Sequence, residues 1–219
     1  MQLAIFNGSP RGKNSNTKVL LDHFQKGFKE NGGDVVSYDY LIKEKHLDEQ
    51  VEHFKNADCI FIALPLYVFS VPGIVKKFIE EIGNFDGRGK KIMFLVQSGF
   101  SEASHSDNAK MYFQTLAERW EMDYLGTIVK PGAEGIRMMP AMMTKKVFKQ
   151  MTAFGKQLAL AGKLEEPALQ KIATPYEFSK IRILFYRFLQ FIGVANLYWN
   201  MNLKKNKVFD RRFDAPYSA

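Results

Sequence analysis

The chain has 219 residues, 46% of them apolar and 25% charged, an ordinary globular composition long enough for one large domain and an appendage. Its one cysteine, Cys59, excludes an internal disulfide, a multi-cysteine zinc site and an iron–sulfur cluster. The net charge of +8 is uneven: from Phe178 to Arg212 eight basic residues stand against Asp210 alone, a net +7 that leaves +1 for everything else. A nearly neutral main body carries no nucleic-acid footprint, so any polyanion contact must come from the C-terminal segment.

In chain order, Gln2 to Phe6 is a short apolar strand stopping at Asn7-Gly8. The opening lacks a basic n-region and reaches a turn early, so a signal peptide is not expected and a cytoplasmic location is. Val19, Leu20, Phe24 and Phe28 space a helix over 17–31, closed at Gly32-Gly33. Val35 to Tyr40 reads as a strand and Leu47 to Asn56 as a short helix. Asp58 to Leu64 is almost wholly apolar, as a central parallel strand covered on both faces should be. A helix follows from Pro72 to Ile82, then a strand from Lys91 to Val96, a helix from Ser106 to Trp120 and a fifth strand from Tyr124 to Val129. This alternation predicts an α/β fold, a doubly wound five-stranded parallel sheet with helices on both faces. Beyond Pro131 come a loop, a helix from Ala141 to Leu160, a connector from Gly162 to Pro175, and a second long helix from Glu177 to Leu203. The expected division is a nucleotide-binding domain over 1–162 and a basic, aromatic helical extension over 163–219.

Ligands of such sheets bind beyond the carboxyl ends of the strands. The loop after the first strand, NGSPRGKNSNT, offers hydroxyls at Ser9, Ser15 and Thr17, an amide at Asn16, a guanidinium at Arg11 and the N–H groups of a helix start. Many donors and a favourable dipole are what a phosphate requires. Walker A and the dinucleotide fingerprint both fail here: Gly8 to Gly12 is one residue short, and GxGxxG is absent. The plainer reading, a turn with an N-cap, sits less well with the loop's length and its hydroxyls. The loop after the third strand, Pro65-Leu66-Tyr67-Val68 followed by Phe69-Ser70-Val71-Pro72, is apolar and aromatic. It suits a flat heteroaromatic ring, or else burial beneath the C-terminal helices. After the fourth strand, Ser98-Gly99-Phe100 allows close backbone approach to a ring. The four histidines have no metal-ligand spacing, His105 reads as a helix-start residue, and neither a metal site nor a catalytic triad or carboxylate pair is expected.

NGSPRGKNSNT, PLYVFSVPGIVKKFIEEI and the Ser-Gly loop resemble the three flavin-contacting segments of the NAD(P)H-dependent FMN reductase family, of flavodoxin-like fold. The resemblance covers about residues 1–140. It implies that Ser9, Arg11, Ser15, Asn16 and Thr17 hold the FMN phosphate. It further implies that Pro65, Leu66, Tyr67 and Val68 lie along the isoalloxazine, with Ser98, Gly99 and Phe100 on its other side. The implied activity is hydride transfer from NADH or NADPH to FMN and on to a small acceptor such as a quinone, flavin, nitro or azo compound. Because that chemistry belongs to the flavin, no catalytic side chain is expected. Two alternatives remain: a non-enzymatic flavodoxin-like electron carrier, and a peripheral membrane or polyanion-binding protein.

Ile181, Leu184, Phe185, Phe188, Ile192 and Ala195 form one strongly apolar helical stripe, and 176–217 holds 11 of the chain's 30 aromatics. Left uncovered, such a stripe would be a patch monomers rarely show. It can pack on its own domain, pair two chains around their flavins, or lie on an anionic membrane surface. Pairing into a homodimer is the expectation, because aromatic and Arg-rich surfaces commonly anchor interfaces.

Overall fold

The computed structural model describes residues 1–215, without the side chains of Glu44, Ala195 and Tyr198. Tyr217 and the end of the expected extension lie outside the described residues, as does the Ala195 side chain of the apolar stripe. Five parallel strands, β1 (Gln2–Asn7), β2 (Asp34–Tyr40), β3 (Cys59–Pro65), β4 (Lys91–Gln97) and β5 (Asp123–Lys130), form one sheet in the order β2-β1-β3-β4-β5. The register pairs Asn7 with Ala63, Pro65 with Gln97, and Gln97 with Lys130, so the strands end on one level and feed their loops to one edge. β3, at the centre, is buried at all seven positions. Burial there pushes the Cys59 thiol up to about 12.

Alternate residues of each strand serve opposite faces. Phe6, Ile60, Ile62, Phe94 and Val96 join a core with α2 (Leu47–Asn56), α3 (Gly73–Ile82) and α4 (Asp107–Arg119). Ile5, Phe61, Ala63, Met93 and Leu95 join another with α1 (Asn16–Lys29), α5 (Ala141–Ala161) and α6 (Glu166–Ile172). Two glycines let α1 and α5 touch backbone to backbone. A Cβ on Gly27 would lie 1.9 Å from the Thr152 carbonyl oxygen, and one on Gly155 would lie 2.0 Å from that of Phe24.

Two expectations are corrected. The stretch 162–175 is not a plain connector: α6 forms within it, with Pro167 in its first turn, and its Leu169 and Ile172 are buried in the second core. The long helix over 177–203 is instead two, α7 (Lys180–Phe191) and α8 (Leu197–Lys205). Gly193 divides them with φ +78°, a left-handed residue that a continuous helix cannot contain. The chain accordingly forms two compact units, Met1–Glu177 and Phe178–Ala219, so the structural boundary lies beyond α6 rather than at 162.

Within the second unit no described side chain from 178 to 215 is buried. Ser179 caps α7 by accepting the Arg182 N–H at 3.3 Å. Arg212 stacks over Phe209 and Phe213, at 4.1 and 4.6 Å from the ring centroids. No helix of the described residues is long and apolar enough to cross a membrane.

Candidate functional site

The β1–α1 loop starts where β1 leaves the sheet edge, and Gly8 sets its path. Its N–H donates to the Ala63 carbonyl at 2.7 Å, and a Cβ at this position would lie 2.3 Å from Val75 Cγ2. Asn7, fully buried, then braces the loop from inside. Its Oδ1 accepts the Ser9 N–H at 3.0 Å and its Nδ2 donates to Ser15 Oγ at 3.3 Å. Ser15 is the N-cap of α1: its oxygen accepts the Lys18 N–H at 3.1 Å and its proton goes to the Gly12 carbonyl at 2.7 Å. The Ser15 side chain is therefore committed to holding the helix start.

What remains uncommitted is an anion-accepting set. The N–H groups of Asn16 and Thr17, in the first turn of α1, have no acceptor four residues back. Ser9 Oγ accepts the Arg11 N–H at 3.3 Å and Thr17 Oγ1 accepts from Gln97 Nε2 at 3.4 Å, which leaves both hydroxyl protons to donate. Both residues are buried, and the positive end of the α1 dipole points at the same place.

The opposite wall comes from the β3 and β4 ends. The Leu66 N–H donates to the Gln97 carbonyl at 2.8 Å, and the Ser98 N–H to that of Lys130 at 3.2 Å. Tyr67 and Ser70 exchange backbone bonds at 3.1 and 2.9 Å around a two-residue turn. Its central residues, Val68 and Phe69, have φ +48° and +61°. Two L residues in the left-handed region, one of them β-branched, make a strained hairpin that Asn-Gly would form freely. The turn thrusts Val68 outward, 86% exposed, and stacks Phe69 on Phe100 at 5.4 Å with His105 against both rings.

A fourth segment closes the edge. Gly132 and Ala133 donate to the carbonyls of Phe100 and Ser98 at 2.6 and 2.7 Å, tying 131–140 to the β4 loop. Arg137 donates to the Asn14 carbonyl, and Glu134 pairs with Arg11 at 3.8 Å, so this segment also reaches the β1–α1 loop.

Ser9, Arg11, Asn16, Pro65, Leu66, Tyr67, Ser98 and Gly99 line one narrow cleft of about 50 Å³, together with Gln97 and Glu134. That volume suits one phosphate-sized group; the apolar wall beyond it is open. Ser15 and Thr17 stand behind the lining in the same loop, while Val68 and Phe100 belong to the turn and the aromatic stack beside it. Gln97, Glu134 and the bracing Asn7 are absent from the set expected from the sequence. The buried polar ends of β1 and β4 were the available signal for Asn7 and Gln97, since a polar residue closing an apolar strand must find a partner. Nothing local marks Glu134, which reaches the cleft from a distant loop. At Gly99 the protein itself leaves room: a Cβ would make only ordinary contact, 3.5 Å from Glu134 Cβ.

The histidines have other uses. His23 stacks on Phe148 at 4.0 Å, His53 meets Asp39 at 2.9 Å and His46 meets Glu49 at 3.2 Å.

Parallel strands in this order, with uncommitted donors at the helix start after β1 and an apolar wall after β3, define a doubly wound α/β domain with a cleft at the carboxyl edge of its sheet. The chain belongs to the flavodoxin-like fold family, whose model matches residues 1–153. No curated protein matches it. Among solved structures it is similar to an FMN-dependent NADH-azoreductase from Bacillus anthracis in complex with FMN, at 15% identity over 73% of this chain and 100% of that one, TM-score 0.57. It is also similar to an NADPH-quinone reductase from P. pentosaceus, at 18% identity over 74% and 99%, TM-score 0.57. A third is an NAD(P)H:quinone oxidoreductase from Methanothermobacter marburgensis, at 16% identity over 72% and 96%, TM-score 0.56.

Proposed function

We propose that the chain is an FMN-dependent NAD(P)H oxidoreductase that reduces a small acceptor of the quinone, flavin, nitro or azo class. The observation that carries this reading is the set of uncommitted donors at the α1 start, with Ser9 and Asn16 in the cleft walled by Pro65–Tyr67 and Ser98–Gly99 and Thr17 just behind its lining. That chemistry fits a terminal phosphate with a flat ring beyond it. The likeness to an FMN-dependent azoreductase supports FMN, and the likeness to three nicotinamide-dependent reductases supports a nicotinamide donor.

When bound, FMN supplies the ring that takes a hydride from nicotinamide and passes electrons to the acceptor. The chain's part is to bind and orient. Ser9, Thr17 and the Asn16 and Thr17 N–H groups hold the phosphate, and Arg11 adds positive charge once it leaves Glu134. Leu66, Tyr67 and Gly99 present a backbone-rich wall to the ring edge. The Phe69–Phe100 stack offers an apolar neighbour to the nicotinamide or an aromatic acceptor.

An absorbance spectrum of the purified or reconstituted protein tests the reading. A flavin band is expected, with FMN released on denaturation, and oxidation of NADH or NADPH should follow addition of a quinone. Recovery of FAD alone, or no flavin after reconstitution, removes it. Bound FMN without nicotinamide oxidation would make the chain an electron carrier.

A further inference from the structure

We propose that the C-terminal unit is a docking surface for an anionic lipid bilayer. The unit has no core of its own. α7 has no buried residue, and Ile181, Phe191 and Phe213 are 82%, 88% and 83% exposed. This is far more apolar surface than a water-facing helix carries, and something must cover it.

The charge on the unit selects what that is. From Phe178 to Phe209 there is no carboxylate, against six cations: Lys180, Arg182, Arg187, Lys204, Lys205 and Lys207. Among the described residues none of the six forms an ion pair. Lys180 and Arg182 open α7, Lys204 and Lys205 close α8, and the long apolar stretch between them holds Arg187 alone. Cations at the ends of an apolar helix pair, with Trp199 and Tyr186 between, match the layering of a membrane interface, where headgroups take the charges and acyl chains the rings. α7 and α8 are too short to cross a bilayer, so the unit lies on the surface.

A second copy of the chain fits this face less well. An isologous contact would set cationic surfaces against each other with few acidic groups to pair them. A nucleic acid would neutralise the charge and leave the apolar side chains bare.

Flotation of the full-length protein with vesicles, with and without added FMN, tests the proposal. Vesicles of phosphatidylcholine mixed with phosphatidylglycerol should carry the protein up, phosphatidylcholine alone should not, and salt should release it. The chain has two tryptophans, with Trp120 buried at 1% exposure and Trp199 at 64%, so insertion should shift the emission of Trp199 to the blue. Trp199→Phe should abolish that shift and keep the flotation. The triple change Lys204→Gln, Lys205→Gln and Lys207→Gln should lower the partition coefficient by about a hundredfold.

Partition that is absent, or equal for both lipids, overturns the proposal. Light scattering that shows a stable dimer without vesicle binding gives the face to a second copy. A Trp199 emission already blue and quencher-protected in the free monomer gives it to the chain's own fold. Flavin content is read on the same samples by absorbance, so the flavin proposal stands or falls separately.

Discussion

Strand β3 and helix α7 are both strongly apolar, and they meet opposite fates. All seven residues of β3 are buried, whereas none of the twelve in α7 is. β3 lies between two strands and under helices on both faces, so every side chain of its apolar run finds a neighbour. α7 carries the same kind of residue with Lys180, Arg182 and Arg187 threaded through it, and a core cannot take unpaired cations. Apolar content says that a segment requires cover; interleaved charge says what sort of cover it can be.

The largest expected effect breaks that comparison most plainly. Phe61→Ala in β3 should destabilise the protein by about 3–5 kcal/mol in a urea titration, while Phe188→Ala in α7 should change it by less than about 0.5 kcal/mol. A loss at Phe188 as large as at Phe61 would mean that α7 is buried in solution.

Glycines sharpen the same contrast. Gly155→Ala drives a methyl into the Phe24 backbone and should cost about 1–3 kcal/mol by separating α1 from α5. Gly193→Ala meets open space and only a strained φ, so about 1 kcal/mol is expected, read as local fraying between α7 and α8 rather than a lower global midpoint.

The proposed phosphate site predicts different outcomes for two kinds of serine in the β1–α1 loop. Ser9→Ala combined with Thr17→Ala should weaken FMN binding by about 1–3 kcal/mol in a fluorescence titration of the apoprotein. Ser15→Ala should instead cost about 1 kcal/mol of folding stability through the lost cap. The reverse pattern would move the phosphate onto Ser15.

The smallest effect is a pH slope. Burial raises the phenols of Tyr38 and Tyr124 above the usual 10. Above that pH the unfolded chain releases these protons before the native one, so the native state binds more protons and its stability falls as pH rises. Urea midpoints at successive alkaline pH values should decline, and Tyr124→Phe should flatten the decline slightly.

The sheet was legible because its strands are apolar runs punctuated by Gly and Pro, and α2 was bounded to the residue, Leu47 to Asn56. α6 was hidden because two helical turns give too little periodicity to stand out between Gly162 and Pro175. The break at Gly193 was hidden because the apolar pattern runs on through it. At the site, the hydroxyl-rich loop was legible as a run of possible donors, but sequence order could not tell a free donor from a brace. Ser15 turned inward to cap α1, and Gln97 and Glu134 entered the cleft from strands and loops far along the chain.

Cys59 sits at the start of β3 with no exposed surface, and its proton is held to about pH 12. Electrophiles such as quinones and maleimides add to thiolates they can reach. This chain's only sulfhydryl offers neither access nor thiolate while folded. It reacts when the sheet opens, so a maleimide that labels it once per molecule counts unfolding events one chain at a time.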